Sequence, residues 1–206
     1  MIFRASTRLL TSRGGFGAVG KHAARFLAER GAVLVAASDS HGTIANPDGI
    51  DVNKLIEHKD AGNPVATFSG GEAQDRDAIV SIGCDIWIPA ARPDVLREDN
   101  IDHLNCKMVL QGANIPVTPA AEARLHERGI LSVPDFIANA GGVICAAVEY
   151  QGGTQSIAFS TIEEKLRMNT HTVLKEAKDK KLKPRDAAVQ LADARVRRAM
   201  VLTRWG

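Results

Sequence analysis

Gly15-Phe16-Gly17-Ala18-Val19-Gly20 runs without a break into Lys21-His22-Ala23-Ala24-Arg25-Phe26-Leu27, and this junction constrains the chain more than any other stretch. The first glycine permits a tight turn, the second lets backbone approach a pyrophosphate, and the third lets a helix pack closely on a strand. The first N–H groups of such a helix have no partner inside it and lie at the positive end of its dipole, so an anion satisfies both. Gly31 then breaks the chain, Ala32 to Ser38 is a short apolar run, and Asp39 follows nineteen residues after Gly20. A carboxylate there can accept hydrogen bonds from the hydroxyls of an adenosine ribose. Glycines also mark ordinary turns in other α/β proteins. The helix, strand and acid at the required distances favour the dinucleotide reading over that one.

The rest of the chain supplies the sheet such a loop needs. Residues 2–11 read as the first strand, although Arg13 beside the loop is a poor residue for a buried strand end, which suggests a shift to Ile2–Leu10 or a start that is not native. A helix over 17–30 puts Ala24, Phe26 and Leu27 on its inner face. A strand follows over 32–38, then a turn at Asn46-Pro47-Asp48-Gly49 and a short helix 51–58 capped by Asp51. Gly62-Asn63-Pro64 ends that helix. A weak strand or loop at 65–68 and a helical turn within 74–82 come next. Strands at 85–91, 107–110 and 130–133 alternate with a helix opened by Pro119 and stopped by Gly129. This alternation predicts an α/β fold, a Rossmann-type doubly wound and mostly parallel sheet, with helices at the C-terminus. Those helices are an apolar one from Asn139 to Tyr150, one opened by a capping box at Ser160-Thr161-Ile162-Glu163, and one from Pro184 to Ala199. The expected division is a dinucleotide-binding domain over 1–150 and a helical segment over 151–206.

Ligands of open parallel sheets bind at the carboxyl ends of the strands. Small or amide residues stand at four such ends: Gly15 to Gly20, Ala90-Ala91, Gly112-Ala113-Asn114 and Asn139-Ala140-Gly141-Gly142. Asn114 and Asn139 can each donate and accept, as ribose hydroxyls and a nicotinamide amide require, or can hold turns and caps. Asn114 stands several residues ahead of its helix, which favours the ligand; for Asn139 capping and cofactor contact are compatible. Asp39 favours NAD, because a carboxylate repels a 2′-phosphate, whereas Ser40 and His41 could accept one.

Bulk properties close off other classes. With 206 residues, 45% hydrophobic and 24% charged, the chain can bury a core. A net charge of +2 argues for neither nucleic acid nor membrane surface. The six histidines form no HxxxH pair, so no metal site is expected. Cys84, Cys106 and Cys145 are far apart and read as reduced, buried thiols of a cytoplasmic protein, Cys145 as core and not as a nucleophile. The N-terminus has the arginines and hydroxyls of an organelle transit peptide, but the glycine loop follows too closely for cleavage to spare the first strand. Arg195, Arg197 and Arg198 read as a solvated helix end.

Five stretches together resemble the cofactor-binding domain of the glutamate/leucine/phenylalanine/valine dehydrogenases: 15–20, Ser38-Asp-Ser-His-Gly42, Cys84-Asp-Ile-Trp-Ile-Pro-Ala-Ala91, Gly112-Ala-Asn-Ile-Pro-Val-Thr-Pro119 and Pro134-Asp-Phe-Ile-Ala-Asn-Ala-Gly-Gly-Val143. The form at 112–119 is most similar to the glutamate branch. The resemblance implies NAD or NADP as cofactor, oxidative deamination of an L-amino acid to a 2-oxo acid, and a homo-oligomer. It implies cofactor contacts at Gly15, Phe16, Gly17, Ala18, Val19, Gly20, Asp39, Ser40, Ala90, Ala91, Asn114 and Asn139, and places Val143 and Ala146 near the substrate. The family's catalytic lysine and aspartate belong to a substrate domain, and its glycine-rich lysine motif is not within these 206 residues. The expectation is a chain that binds nucleotide with little turnover of its own. The alternative is a stand-alone, non-catalytic dinucleotide module. At Ala146 the family's glutamate enzymes carry a serine that touches the substrate's side-chain carboxylate. A methyl cannot donate that hydrogen bond, so a more apolar amino acid stays in view.

Overall fold

In the computed structural model, which describes residues 8–12 and 16–203, a seven-stranded sheet forms the framework. Its strands are β1 (Arg8–Ser12), β2 (Val33–Ser38), β3 (Thr43–Ala45), β4 (Glu72–Gln74), β5 (Ile86–Pro89), β6 (Met108–Leu110) and β7 (Leu131–Val133), in the order β4-β3-β2-β1-β5-β6-β7. The five strands from β2 to β7 on that list run parallel, while β3 and β4 add an antiparallel edge. The expected mostly parallel, doubly wound sheet is therefore present. The two antiparallel strands went unforeseen, since each has three residues and neither gives a periodic signal.

Strands β2 and β5 are apolar and buried on both faces, as a sheet covered on both sides requires. In β5, Ile86 and Ile88 pack on one side and Trp87 on the other. The first side meets helices α1 (Ala18–Ala28) and α2 (Val52–Asp60) through Ala24 and Leu55. The second meets α3 (Pro119–Glu127) through Ala121 and Leu125. Asp51 caps α2 by accepting from the Lys54 N–H at 3.1 Å. Phe26, expected on the inner face of α1, is instead 41% exposed beneath the Arg25 guanidinium. The expectations for residues 2–7 and for Arg13 fall outside the described residues; the described strand runs to Ser12.

Contacts divide the chain into Met1–Asp135 and Phe136–Gly206. The boundary expected at residue 150 falls within the second unit. A helical turn, α4 (Asp135–Ala138), crosses the division, and the second unit holds α5 (Gly141–Tyr150), α6 (Gln155–Lys180) and α7 (Pro184–Thr203). Here one expectation fails. Ser160 to Glu163 lies inside α6, whose cap is Thr154, accepting from the Ile157 N–H. Gly152 and Gly153 break the chain just before Thr154, and nothing between 155 and 160 interrupts a helix. No helix among the described residues is long and apolar enough to cross a membrane.

Candidate functional site

From β1 the chain moves through α1 to β2 on one side; after β4 it crosses to β5 on the other. The winding direction thus reverses between β1 and β5, whose last paired residues are Ser12 and Pro89. That reversal opens a crevice at the carboxyl rim, where α1 begins. Gly17 is the cap residue of α1, and among the described residues no side chain caps the helix. At φ −90° Gly17 needs no glycine for its backbone, and a Cβ built there would meet nothing among the described residues within 4 Å. The described residues leave room at that position, so the arrangement fits a pyrophosphate approaching the helix N–H groups. The Phe16 N–H donates to the Ser38 carbonyl at 3.2 Å and ties this loop to the end of β2. The Phe16 side chain is wholly buried in the core, Gly20 is buried in α1, and Ala18 and Val19 are exposed. Gly15 lies outside the described residues.

Asp39, one residue past β2, is buried with both oxygens engaged. Oδ2 accepts from Lys59 Nζ at 2.8 Å and from the Val65 N–H at 2.9 Å. Oδ1 accepts from the His41 N–H at 2.8 Å. Burial pushes this carboxyl up, but the hydrogen bonds from Lys59, Val65 and His41 and the Lys59 charge outweigh it and hold it below its ordinary value. Since each oxygen can accept about two bonds, Oδ1 keeps capacity for one ribose hydroxyl. Ser40 and His41 beside it are exposed, with Ser40 Oγ 3.0 Å from His41 Nδ1. Lys59, at the end of α2, is a charge partner of Asp39 that sequence reasoning missed. No motif links it to Asp39, and only the fold brings the two together.

Ala90 is half-buried and Ala91 exposed after β5, and Asn114 is exposed after β6. The Ala113 N–H donates to the Pro89 carbonyl at 2.8 Å, so these two strand ends are joined. Thr118, not Asn114, caps α3, accepting from the Ala121 N–H at 3.2 Å. The cap alternative for Asn114 is thereby removed. Asp135, within the 134–143 stretch, accepts at Oδ2 from the Ile115 N–H at 2.7 Å.

The second unit carries the other candidates. The cap position of α5 is Ala140, without a side-chain cap, so Asn139 does not occupy it. Val143 is 78% exposed and Ala146 exposed on α5, which has no buried residue. Cys145 is therefore not core: it is half-buried, with Sγ 3.7 Å from Glu149 Oε1. Cys84 and Cys106 are also free and half-buried, and burial raises Cys106 to about 11 and Cys84 further. Neither can act as a thiolate at neutral pH. Among the described residues no group of three or more His, Cys, Asp or Glu could hold a metal ion.

A family model described as Glutamate/Leucine/Phenylalanine/Valine dehydrogenase matches residues 7–204. The chain is 42% identical over 202 residues to a glutamate dehydrogenase of Aeropyrum pernix, covering 93% of this chain and 48% of that protein. It is 36% identical over 203 residues to an NADP(+)-dependent glutamate dehydrogenase of Pyrobaculum calidifontis, with the same coverage of 93% and 48%. The chain thus spans about half the length of these relatives. Among solved structures, the hetero-hexameric glutamate dehydrogenase of Thermus thermophilus in its Leu-bound form superposes with a TM-score of 0.83 at 23% identity, over 96% of this chain and 47% of that one. The L-tryptophan dehydrogenase of Nostoc punctiforme gives 0.73 at 25% identity, over 95% and 54%.

Proposed function

Since the chain belongs to the glutamate/leucine/phenylalanine/valine dehydrogenase family, we propose that its first unit binds a nicotinamide dinucleotide at the β1/β5 rim. In this reading it is the cofactor-holding part of a glutamate-type amino-acid dehydrogenase. The observation that carries the reading is the start of α1 at the sheet's reversal point, where among the described residues no side chain caps the helix and none fills the space a Gly17 Cβ would take. Backbone N–H groups at Ala18, Val19 and Gly20 hold the pyrophosphate. Asp39 Oδ1 takes one adenosine ribose hydroxyl, and Ala90, Ala91 and Asn114 line the rim toward the nicotinamide. The bound dinucleotide supplies the hydride acceptor; the chain's own residues bind and orient it. The readings of Asn139, Val143 and Ala146 rest on the family motif that carries them. The Ala146 methyl supports an amino acid with a less polar side chain than glutamate.

NAD is the favoured cofactor, because Asp39 presents a carboxylate. Lys59 offsets that charge, and Ser40 and His41 are exposed beside it, so NADP is accommodated more weakly. Exposed Phe159, Val196, Met200 and Val201 on α6 and α7 support association into a homo-oligomer. Titration of the chain with NADH and with NADPH, followed by nucleotide fluorescence, tests the reading. Saturable binding of both with NADH tighter is expected. Binding of neither overturns the site, and tighter NADPH overturns the cofactor choice.

A further inference from the structure

The turns after β5 and β6 are laced together at the rim. Besides the Ala113–Pro89 bond, the Asp94 N–H donates to the Ile115 carbonyl at 3.0 Å, and the Val95 and Leu96 N–H groups to the Pro116 carbonyl at 2.8 and 3.0 Å. Two non-glycine residues in this lacing are left-handed: Asp94 at φ 52° and Ile115 at φ 43°. A branched Cβ makes that conformation costly for isoleucine, and the following Pro116 favours extended backbone at the same residue. Side-chain packing does not explain it, since Ile115 is 57% exposed. Strain of this kind persists only where the surroundings enforce it.

The enforcing group is at hand. Asp135 stands two residues past β7 and is only 7% exposed, and its carboxylate receives the Ile115 N–H at 2.7 Å. A charged acceptor makes this a short, strong bond. The β7 end is itself joined to the β6 end, through the Gln111 N–H and the Val133 carbonyl at 3.2 Å. Asn114 precedes Ile115 directly, so relaxation of Ile115 to negative φ would turn the intervening peptide and re-aim Asn114. The geometry points to Asp135 as a positioning residue: by holding the Ile115 N–H it keeps the 112–116 turn in the strained form that presents Asn114 to a bound dinucleotide. This inference rests on the dinucleotide reading above.

NADH titrations of the 206-residue chain test it. Asp135→Ala weakens NADH binding by about tenfold, the scale of one released strained residue. Asp135→Asn keeps an acceptor oxygen and stays within about threefold of wild type. Glycine adopts φ 43° unaided, so in an Ile115→Gly background the further change Asp135→Ala costs less than about threefold. A purely structural role predicts equal losses in the two backgrounds, and equal losses overturn the inference. So does an Asp135→Ala chain that binds within about twofold of wild type. Should Asp135→Ala alone fail to fold by circular dichroism, the comparison within the Ile115→Gly background decides, a loss above about threefold counting against. A wild-type chain that binds no NADH removes the dinucleotide reading and this inference with it; wild-type binding with an indifferent Asp135 removes the inference alone.

Discussion

Lys59 and Asp39 show how one side chain can reset the meaning of another. A lone carboxylate at the end of β2 reads as a barrier to a 2′-phosphate. Here its charge is met at 2.8 Å by an ammonium that is itself only 22% exposed. Replacing Lys59 by Met leaves a buried carboxylate with backbone donors alone, at a cost of about 2 kcal/mol in urea unfolding near neutral pH, below the full cost for a deeply buried pair because Lys59 is partly solvated. The pH dependence has a definite sign. Asp39 sits below its ordinary value when folded. Its contribution is therefore present above the unfolded carboxyl pKa and disappears as pH falls through the lower folded value. Without Lys59 one hydrogen bond and one charge that lower the folded value are lost, so it rises and acid unfolding of the variant begins at higher pH than in wild type. NADPH affinity should fall more than NADH affinity, and equal losses would remove Lys59 from cofactor choice.

Among the elements, legibility followed the length of the signal. The glycine loop with α1, the Asp51 cap of α2, and Pro119 opening α3 each combine a local backbone requirement with a periodic segment, and each stands where the sequence places it. The edge strands β3 and β4 are too short for period-two alternation to register, and their pairing is decided by distant chain. Ser160 to Glu163 misled because its spacing is that of a capping box, yet the same spacing occurs inside any helix. The candidate site divides similarly. Gly17, Gly20 and Asp39 belong to the start of α1 and the end of β2, which local sequence marks, whereas Lys59 and the Ile115–Asp135 bond depend on tertiary contact. The start of α6 can be tested directly. Thr154→Ala should cost about 0.5–1 kcal/mol in stability, from the loss of an N-terminal cap. Ser160→Ala should change it by less than about 0.3 kcal/mol, since the Ser160 hydroxyl only donates to the Ile157 carbonyl within the helix. A larger loss at Ser160 than at Thr154 would restore the capping box.

For the molecule as a whole, the question is whether holding a cofactor suffices for chemistry. Hydride transfer requires substrate fixed in near-attack geometry against the nicotinamide, a term that can supply about 7–11 kcal/mol of the barrier reduction. Among the described residues no thiol is poised as a thiolate and no His, Cys, Asp and Glu cluster could bind a metal. The substrate-domain lysine motif that the family resemblance implies does not occur in the 206 residues, and the chain spans about half the length of its relatives. The chain should therefore bind NADH yet reduce NAD with glutamate, leucine or another L-amino acid no faster than a Gly17→Val control, with both followed by absorbance of the reduced nicotinamide. Adding a separate polypeptide that carries the lysine-bearing domain should raise the rate only in the wild-type chain, because valine at residue 17 fills the space proposed for the pyrophosphate at the start of α1. Turnover by the wild-type chain alone would mean that a catalytic base lies within these residues after all. Binding without turnover even in the presence of the second polypeptide would favour the stand-alone module.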